Sequence, residues 1–149
     1  MELLDNIDIN ILRELQSNCR ASYRDIANKL GLSIGTVHNR IKRMKEIGII
    51  KGFSVIVDAE KIGYELTAVI LMQVDGGHII EVEKIIASTK PVIAVYDITG
   101  DFDIIVIAKF RNREELNTFI KDVLKIPHVR RTVTSIALNI VKERIIVNV

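Results

Sequence analysis

With 149 residues, 48% hydrophobic and 27% charged, the chain holds enough apolar material for one domain or two small ones, which excludes intrinsic disorder. Its single cysteine, Cys19, excludes a disulfide scaffold and a thiolate metal cluster, and no apolar run approaches the roughly 18–20 residues of a membrane span. The net charge of +2 is unevenly spread: residues 1–51 carry nine Lys/Arg against six Asp/Glu, whereas residues 64–149 carry eleven of each. Within 20–51 there are eight basic residues (Arg20, Arg24, Lys29, Arg40, Lys42, Arg43, Lys45, Lys51) against Asp25 and Glu46, so a polyanionic partner is expected for that segment alone.

The acidic opening Met1-Glu2-Leu3-Leu4-Asp5 is unlike the basic start of a signal peptide; the expected location is cytoplasmic, with no membrane partner. The first fifty residues carry helical periods. Ile7, Ile11, Leu12 and Leu15 recur at helical spacing behind Asp5 or Asn6 as cap. Cys19 is expected to pack in or beside this helix. Ser22 caps a second helix with the stripe Ile26, Ala27 and Leu30, which Gly31 ends. Leu32 bridges to Ser33, the cap of a third helix with the stripe Val37, Ile41, Met44 and Ile47, closed by Gly48. Two short amphipathic helices joined by a tight glycine-containing turn make a helix-turn-helix.

From Ile49 the period becomes that of strands. Residues 52–57 are β-prone, and 58–64 read as a hinge. A strand over 66–74 follows, then the turn Gly76-Gly77 and a helix over 79–87 with Val82, Ile85 and Ile86 inward. Strands over 92–99 and 102–110 meet at Gly100-Asp101, and a helix over 113–125 carries Leu116, Phe119, Ile120, Val123 and Leu124 at helical spacing. A long strand over 129–141 comes last, with a further strand expected over 144–149. The fold class is therefore α+β: a helix-turn-helix domain (1–50), a linker of strand and hinge (51–63), and a ferredoxin-like βαββαβ domain (64–149).

The strands over 66–74 and 102–110 are apolar on both faces: Ala68, Ile70 and Met72 against Val69 and Leu71, and Ile104, Val106 and Ala108 against Ile105 and Ile107. A sheet with one solvated face alternates apolar and polar residues instead. Two helices cover one face, so the other is expected to meet either a second copy of the sheet or the N-terminal helices.

The third helix presents Gly35, Thr36, His38, Asn39, Lys42 and Arg43 away from its stripe, with Ser33 at its start. Such a helix fits the major groove of double-stranded DNA. Asn39 has the amide geometry to bond adenine, Thr36 the methyl to meet thymine, and Arg40, Lys42, Arg43 and Lys45 the charge for phosphates. His38 reads equally as a base contact or as an exposed side chain.

Leu4-Asp5, Asp8, Ile11-Leu12, Leu15-Gln16, Arg20, Ile26-Ala27, Leu30-Gly31-Leu32-Ser33, Thr36-Val37, Arg40-Ile41, Arg43-Met44 and Gly48-Ile49-Ile50, followed by Thr99-Gly100-Asp101-Phe102-Asp103, together resemble the Lrp/AsnC family of leucine-responsive, or feast/famine, regulators. The resemblance spans essentially the whole chain. Two positions depart from it: Ile34 stands where the family often has Pro, and Asn39 where it often has Arg. The resemblance implies a sequence-specific transcriptional regulator that acts as a homodimer or an assembly of dimers and answers to a small effector, expected to be an amino acid. It places the effector near Gly100, with Asp97, Asp101 and Asp103 as acceptors for an ammonium group, and Thr132 and Thr134 on the last strand as further candidates. Without the resemblance those residues read as ordinary turn formers and β-prone positions.

No phosphate loop and no nucleophile elbow occurs, so no enzyme and no cofactor is expected. His38, His78 and His128 are widely spaced along the chain, outside any metal-ligand spacing, and no metal is expected. Glu81, Glu83, Glu114 and Glu115 fall at helix starts, where they offset the dipole. Two other readings use the same βαββαβ order. One is an amino-acid-sensing module of a metabolic enzyme, against which the basic third helix argues. The other is an RNA-binding domain, which needs aromatic side chains on its central strands; the chain has 5% aromatics and no Trp.

Overall fold

The computed structural model describes residues 3–144, 147 and 149. The chain forms two compact units, Met1–Ile56 with Glu143–Val149, and 57–142.

The first unit contains α1 (Asn6–Ser17), α2 (Tyr23–Leu30) and α3 (Ile34–Glu46). Each start is set by its cap. Asp5 accepts from the Asp8 N–H while the Asp8 carboxylate accepts from the Asp5 N–H, and Ser22 and Asp25 repeat the arrangement on α2. Ser33 accepts from the Thr36 N–H at 3.0 Å. Gly31, at φ +66°, supplies the left-handed turn that ends α2 and leaves only Leu32 and Ser33 before α3. Ile11, Leu15, Ile26, Ala27, Val37, Ile41 and Met44 close the core. Ile47, expected in that stripe, is exposed, because it stands at the C-cap rather than within the helix. Cys19 is exposed too, two residues beyond the end of α1. Val147 and Val149 bond to α1: Arg13 Nε donates to the Val149 carbonyl at 2.9 Å and Gln16 Nε2 to that of Val147 at 2.7 Å.

The second unit has β1 (Leu66–Val74), α4 (Ile79–Ala87), β2 (Val92–Asp97), β3 (Ile104–Phe110), α5 (Arg113–Val123) and β4 (Val129–Ile136). The strands form one antiparallel sheet in the order β2-β3-β1-β4, the ferredoxin-like arrangement. Ala68, Ile70, Met72, Val74, Ile104, Val106, Ala108 and Phe110 face Val82, Ile86, Leu116, Phe119 and Val123 of the two helices. Ile85 and Leu124, both expected inward, are exposed, since that stripe already fills the face. On the other face Val69, Leu71, Ile105 and Ile107 remain half-buried.

Several expected strands differ. Residues 52–57 pair with no other described residue and form no strand, since a strand needs a partner for its N–H and C=O groups; Val55 and Ile56 are each 82% exposed. The expected hinge over 58–64 contains a 3-10 turn, Glu60–Ile62. β4 ends at Ile136 rather than 141. Its neighbour β1 begins at Leu66, and the Ala137 N–H makes the last bond, to the Thr67 carbonyl. β2 and β3 stop at Asp97 and Ile104, leaving a wider turn than expected. Of the segment 144–149, residues 145, 146 and 148 lie outside the described residues; 144, 147 and 149 carry no strand.

The histidines do not all lie apart as their spacing suggested. His78 and His128 stack with ring centroids 3.4 Å apart. The antiparallel pairing of β1 with β4 brings the end of one beside the start of the other, closing the fifty-residue gap.

Candidate nucleic-acid interface and effector turn

α3 is oriented by charge as well as by its apolar stripe. Asp8 on α1 is fully buried. It accepts from Arg43 Nη2 at 2.7 Å and from Arg40 Nη1 at 3.0 Å. Arg40 Nη1 also reaches both oxygens of Asp5, at 2.6 and 2.7 Å. The Arg40 guanidinium, helped by the Asp8 N–H, lowers the Asp5 carboxyl from 3.8 to about 2. A buried carboxylate is tolerated only when paired and hydrogen-bonded in this way, and the pairing ties α3 to the start of α1 at two successive turns.

Charge alone assigns Arg40 and Arg43 to phosphates; the structure places Arg40 against Asp5 and Asp8, and Arg43 against Asp8. The signal was present as two matching i, i+3 pairs of opposite sign, although nothing local joined them. The outward face of α3 is left to Gly35, His38, Asn39 and Lys42, all exposed, with Thr36 half-buried. Thr36 Oγ1 lies 2.8 Å from Ser33 Oγ, which holds its methyl in place. His38 meets the Tyr23 ring edge-on at 5.6 Å, and its Nδ1 lies 3.3 Å from Asn39 Oδ1. Lys42 pairs only loosely with Glu46, at 3.9 Å. Around this face, Lys29 is paired with Glu14 at 2.6 Å, and Lys45 lies 5.1 Å from the Phe53 ring.

In the second unit the hairpin between β2 and β3 gathers Asp97, Gly100 and Asp101, all exposed, with Asp103 half-buried. Gly100 sits at φ +120°, which L side chains rarely adopt. Asp103 is already committed in part: its Oδ2 accepts from the Val74 N–H at 2.8 Å, its own N–H donates to the Met72 carbonyl, and its carbonyl accepts from Ile98. The Asp101 carbonyl accepts from Gln73 Nε2 at 2.6 Å. The turn is therefore bonded to β1, with the Asp97 and Asp101 carboxylates at the surface.

Thr132 and Thr134 are not beside it. They pair with Met72 and Ile70, while Ile104 lies on the other side of Met72. The full width of β1 thus separates β4 from β3, roughly 10 Å between those two strands. A residue that sequence reasoning passed over is nearer: the Arg131 guanidinium lies 5.9 Å from the Phe102 ring, which brings a cation of β4 across to the turn. Strand alternation placed Arg131 among β4 residues, but only the register could aim it.

Residues 4–51 match a family described as winged helix-turn-helix DNA-binding, and residues 67–147 match the Lrp/AsnC ligand binding domain. An uncharacterized HTH-type transcriptional regulator of Pyrococcus furiosus is 51% identical over 140 residues, 94% of this chain and 95% of its own length. The HTH-type transcriptional regulator FL11 of Pyrococcus horikoshii is 40% identical over 140 residues, 94% of this chain and 93% of its own. Among solved structures, that of E. coli AsnC superposes with a TM-score of 0.88 at 28% identity, covering 97% of this chain and 99% of that one.

Proposed function

The chain belongs to the Lrp/AsnC family of transcriptional regulators, with a DNA-binding helix-turn-helix and an Lrp-type ligand-binding domain, and from that premise we propose how its residues divide the work. Residues 1–50 read double-stranded DNA through α3, residues 51–63 link, and residues 64–149 bind an effector and assemble the protein into dimers or assemblies of dimers. The regulator carries out no catalysis and works in the cytoplasm; among its described residues no helix is long and apolar enough to cross a membrane.

The observation that carries the DNA reading is the division of charge on α3. Arg40 and Arg43 turn back to Asp8 and hold the helix, which leaves His38, Asn39 and Lys42 outward as a rigid reading edge with Ser33, Gly35 and Thr36 at its start. Asn39 reads adenine, and Lys42 meets phosphate. Arg40 and Arg43 add positive potential close to the backbone without needing to leave their carboxylates.

Assembly rests on the half-buried face of Val69, Leu71, Ile105 and Ile107, which a second sheet covers. The effector is an amino acid or a close analogue. Asp97 and Asp101 take its ammonium, and the N–H groups around Gly100, with Arg131, take its carboxylate. Thr132 and Thr134 belong to the same site only when a neighbouring subunit brings them to it. An effector bound where subunits meet changes how dimers associate, by as much as its affinity differs between the two assemblies.

Selection of binding sites from random duplexes, repeated with each of the twenty amino acids, tests the whole reading. Asn39→Ala is expected to relax one base position by about 1–3 kcal/mol. Lys42→Ala is expected to weaken all sequences alike and to lower the salt slope by about one. Uniform weakening by Asn39→Ala would remove the base-reading role. Absence of heat from every amino acid would leave a DNA binder without an amino-acid effector.

A further inference from the structure

We propose that His78, Glu81 and His128 form a binding site for a divalent transition-metal ion, zinc by the chemistry of the donors. The two imidazoles lie face to face, with planes within 1° of parallel. His78 is the N-cap of α4, and Glu81 in the first turn lies with its Oε2 3.3 Å from His78 Nδ1. His128 enters from the turn before β4, its Nδ1 3.5 Å from Asp75 Oδ2. One nitrogen of each ring and one oxygen of Glu81 all lie within 4.8 Å of one another.

The backbone is built to keep these rings together. The Asp75 N–H donates to the His128 carbonyl at 3.0 Å, and the His78 N–H donates to the Asp75 carbonyl at 2.8 Å, so Asp75 clasps the two loops. His128 has φ +71° and is the one non-glycine at positive φ among the described residues. A left-handed backbone at such a residue persists where the surroundings over-determine it, and it is concentrated at ligand sites.

Two imidazoles and a carboxylate are the donors of zinc and its first-row neighbours; calcium and magnesium take oxygen alone. Bonds of about 2.0–2.2 Å put donor atoms roughly 3.3 Å apart in a tetrahedral site. A ring nitrogen binds a metal in the plane of its ring, so one imidazole must turn out of the parallel stack on loading, and donors up to 4.8 Å apart must close to that distance; rotation of partly exposed side chains about their χ angles allows both. Asp75, ion-paired with Arg130, stands behind His128 as the carboxylate that orients a ligating imidazole. Solvent completes the coordination.

The test is calorimetric titration of zinc chloride into chelator-treated full-length protein near about pH 7.5, where imidazoles are neutral enough to ligate. A Cys19→Ser background removes the exposed thiol. His78→Asn and His128→Asn delete each ring and keep a residue that accepts an N-cap or a left-handed backbone, so both loops survive. One zinc per chain is expected in the background protein and with His38→Asn, with affinity at least about tenfold lower in His78→Asn, His128→Asn and Glu81→Gln. X-ray absorption of the loaded protein is expected to register two imidazoles and otherwise oxygen donors. Saturation reached only at millimolar zinc, or affinity in His78→Asn and His128→Asn equal to that of the background protein, overturns the site.

Discussion

The two units bury different kinds of group. In the helical unit a carboxylate, Asp8, is as fully withdrawn from water as Ile11 or Met44. In the sheet unit the interior is aliphatic and aromatic; the charged residue that comes inside is Lys109, whose Nζ donates to Thr67 Oγ1 at 3.1 Å. Packing alone fixes a sheet, because register and the alternation of faces leave little freedom. Three short helices around seven apolar side chains have more ways to rotate against one another. The Asp8 pairing with Arg40 and Arg43 settles which way α3 points. A helix proposed to aim Asn39 at a base edge needs that aim; a sheet whose candidate effector site is a turn of backbone does not.

The largest expected effect separates the two faces of the sheet. Ile70, fully buried, should cost about 2–5 kcal/mol on truncation to Ala, seen as a lower midpoint in urea. Its neighbour Leu71 points the other way and is half-buried. Leu71→Ala should leave the fold of the single chain nearly intact and lower self-association in sedimentation. Comparable losses of folding stability at both positions, with association unchanged, would break the account of a second sheet on that face.

Next in size is Asp8→Asn. The amide keeps the shape and still accepts one N–H, but it gives up the charge that both guanidinium groups address. Hydrogen bonds to charged groups are worth about 1.5–3 kcal/mol, and Arg40 and Arg43 regain water, since their side chains are 26% and 49% exposed. A loss of about 1–3 kcal/mol in the denaturation of the helical unit is expected, with weaker DNA binding at every sequence and an unaltered base preference. A changed base preference would mean that α3 had rotated rather than loosened.

A smaller effect is expected at the turn. Gly100→Ala meets no atom within 4 Å, so its cost is conformational alone, about 1–2 kcal/mol at φ +120°. It should shift the melting of the sheet unit slightly and leave ligand-free DNA binding unchanged.

The sequence made the elements legible where the signal was local. The caps Asp5, Ser22 and Ser33, the stop at Gly31, and the strand and helix bounds of β1 and α4 follow from period and turn chemistry. What escaped was pairing across the chain. Counting charges marked Arg40 and Arg43 for phosphates without showing their pairing with Asp8, because a count cannot see carboxylates some thirty-two and thirty-five residues away. Spacing put His78 and His128 apart for the same reason. The β-prone segment 52–57 has the right residues but no strand partner among the described residues. Thr132 and Thr134 were grouped with the turn by residue type, and only the register, with β1 between, separates them.

The last and subtlest test uses acid to isolate the charge in this network from its geometry. Asp5 is both the cap of α1 and a partner of Arg40, and its carboxyl is lowered from 3.8 to about 2, chiefly by the Arg40 guanidinium. A carboxyl that binds its proton more weakly in the folded chain than in the unfolded one stabilises the fold above the unfolded value. That contribution is fully present above about pH 4 and disappears as pH falls to about 2. Asp5→Asn retains a good cap and lacks the charge. The difference in stability between wild type and Asp5→Asn, followed by circular dichroism in denaturant, should therefore be constant at neutral pH and shrink between about pH 4 and pH 2. A difference that persists unchanged to pH 2 would mean that it does not come from the Asp5 charge but from how the carboxyl and amide side chains fit the cap. The ion pair with Arg40 would then orient α3 without adding to its stability.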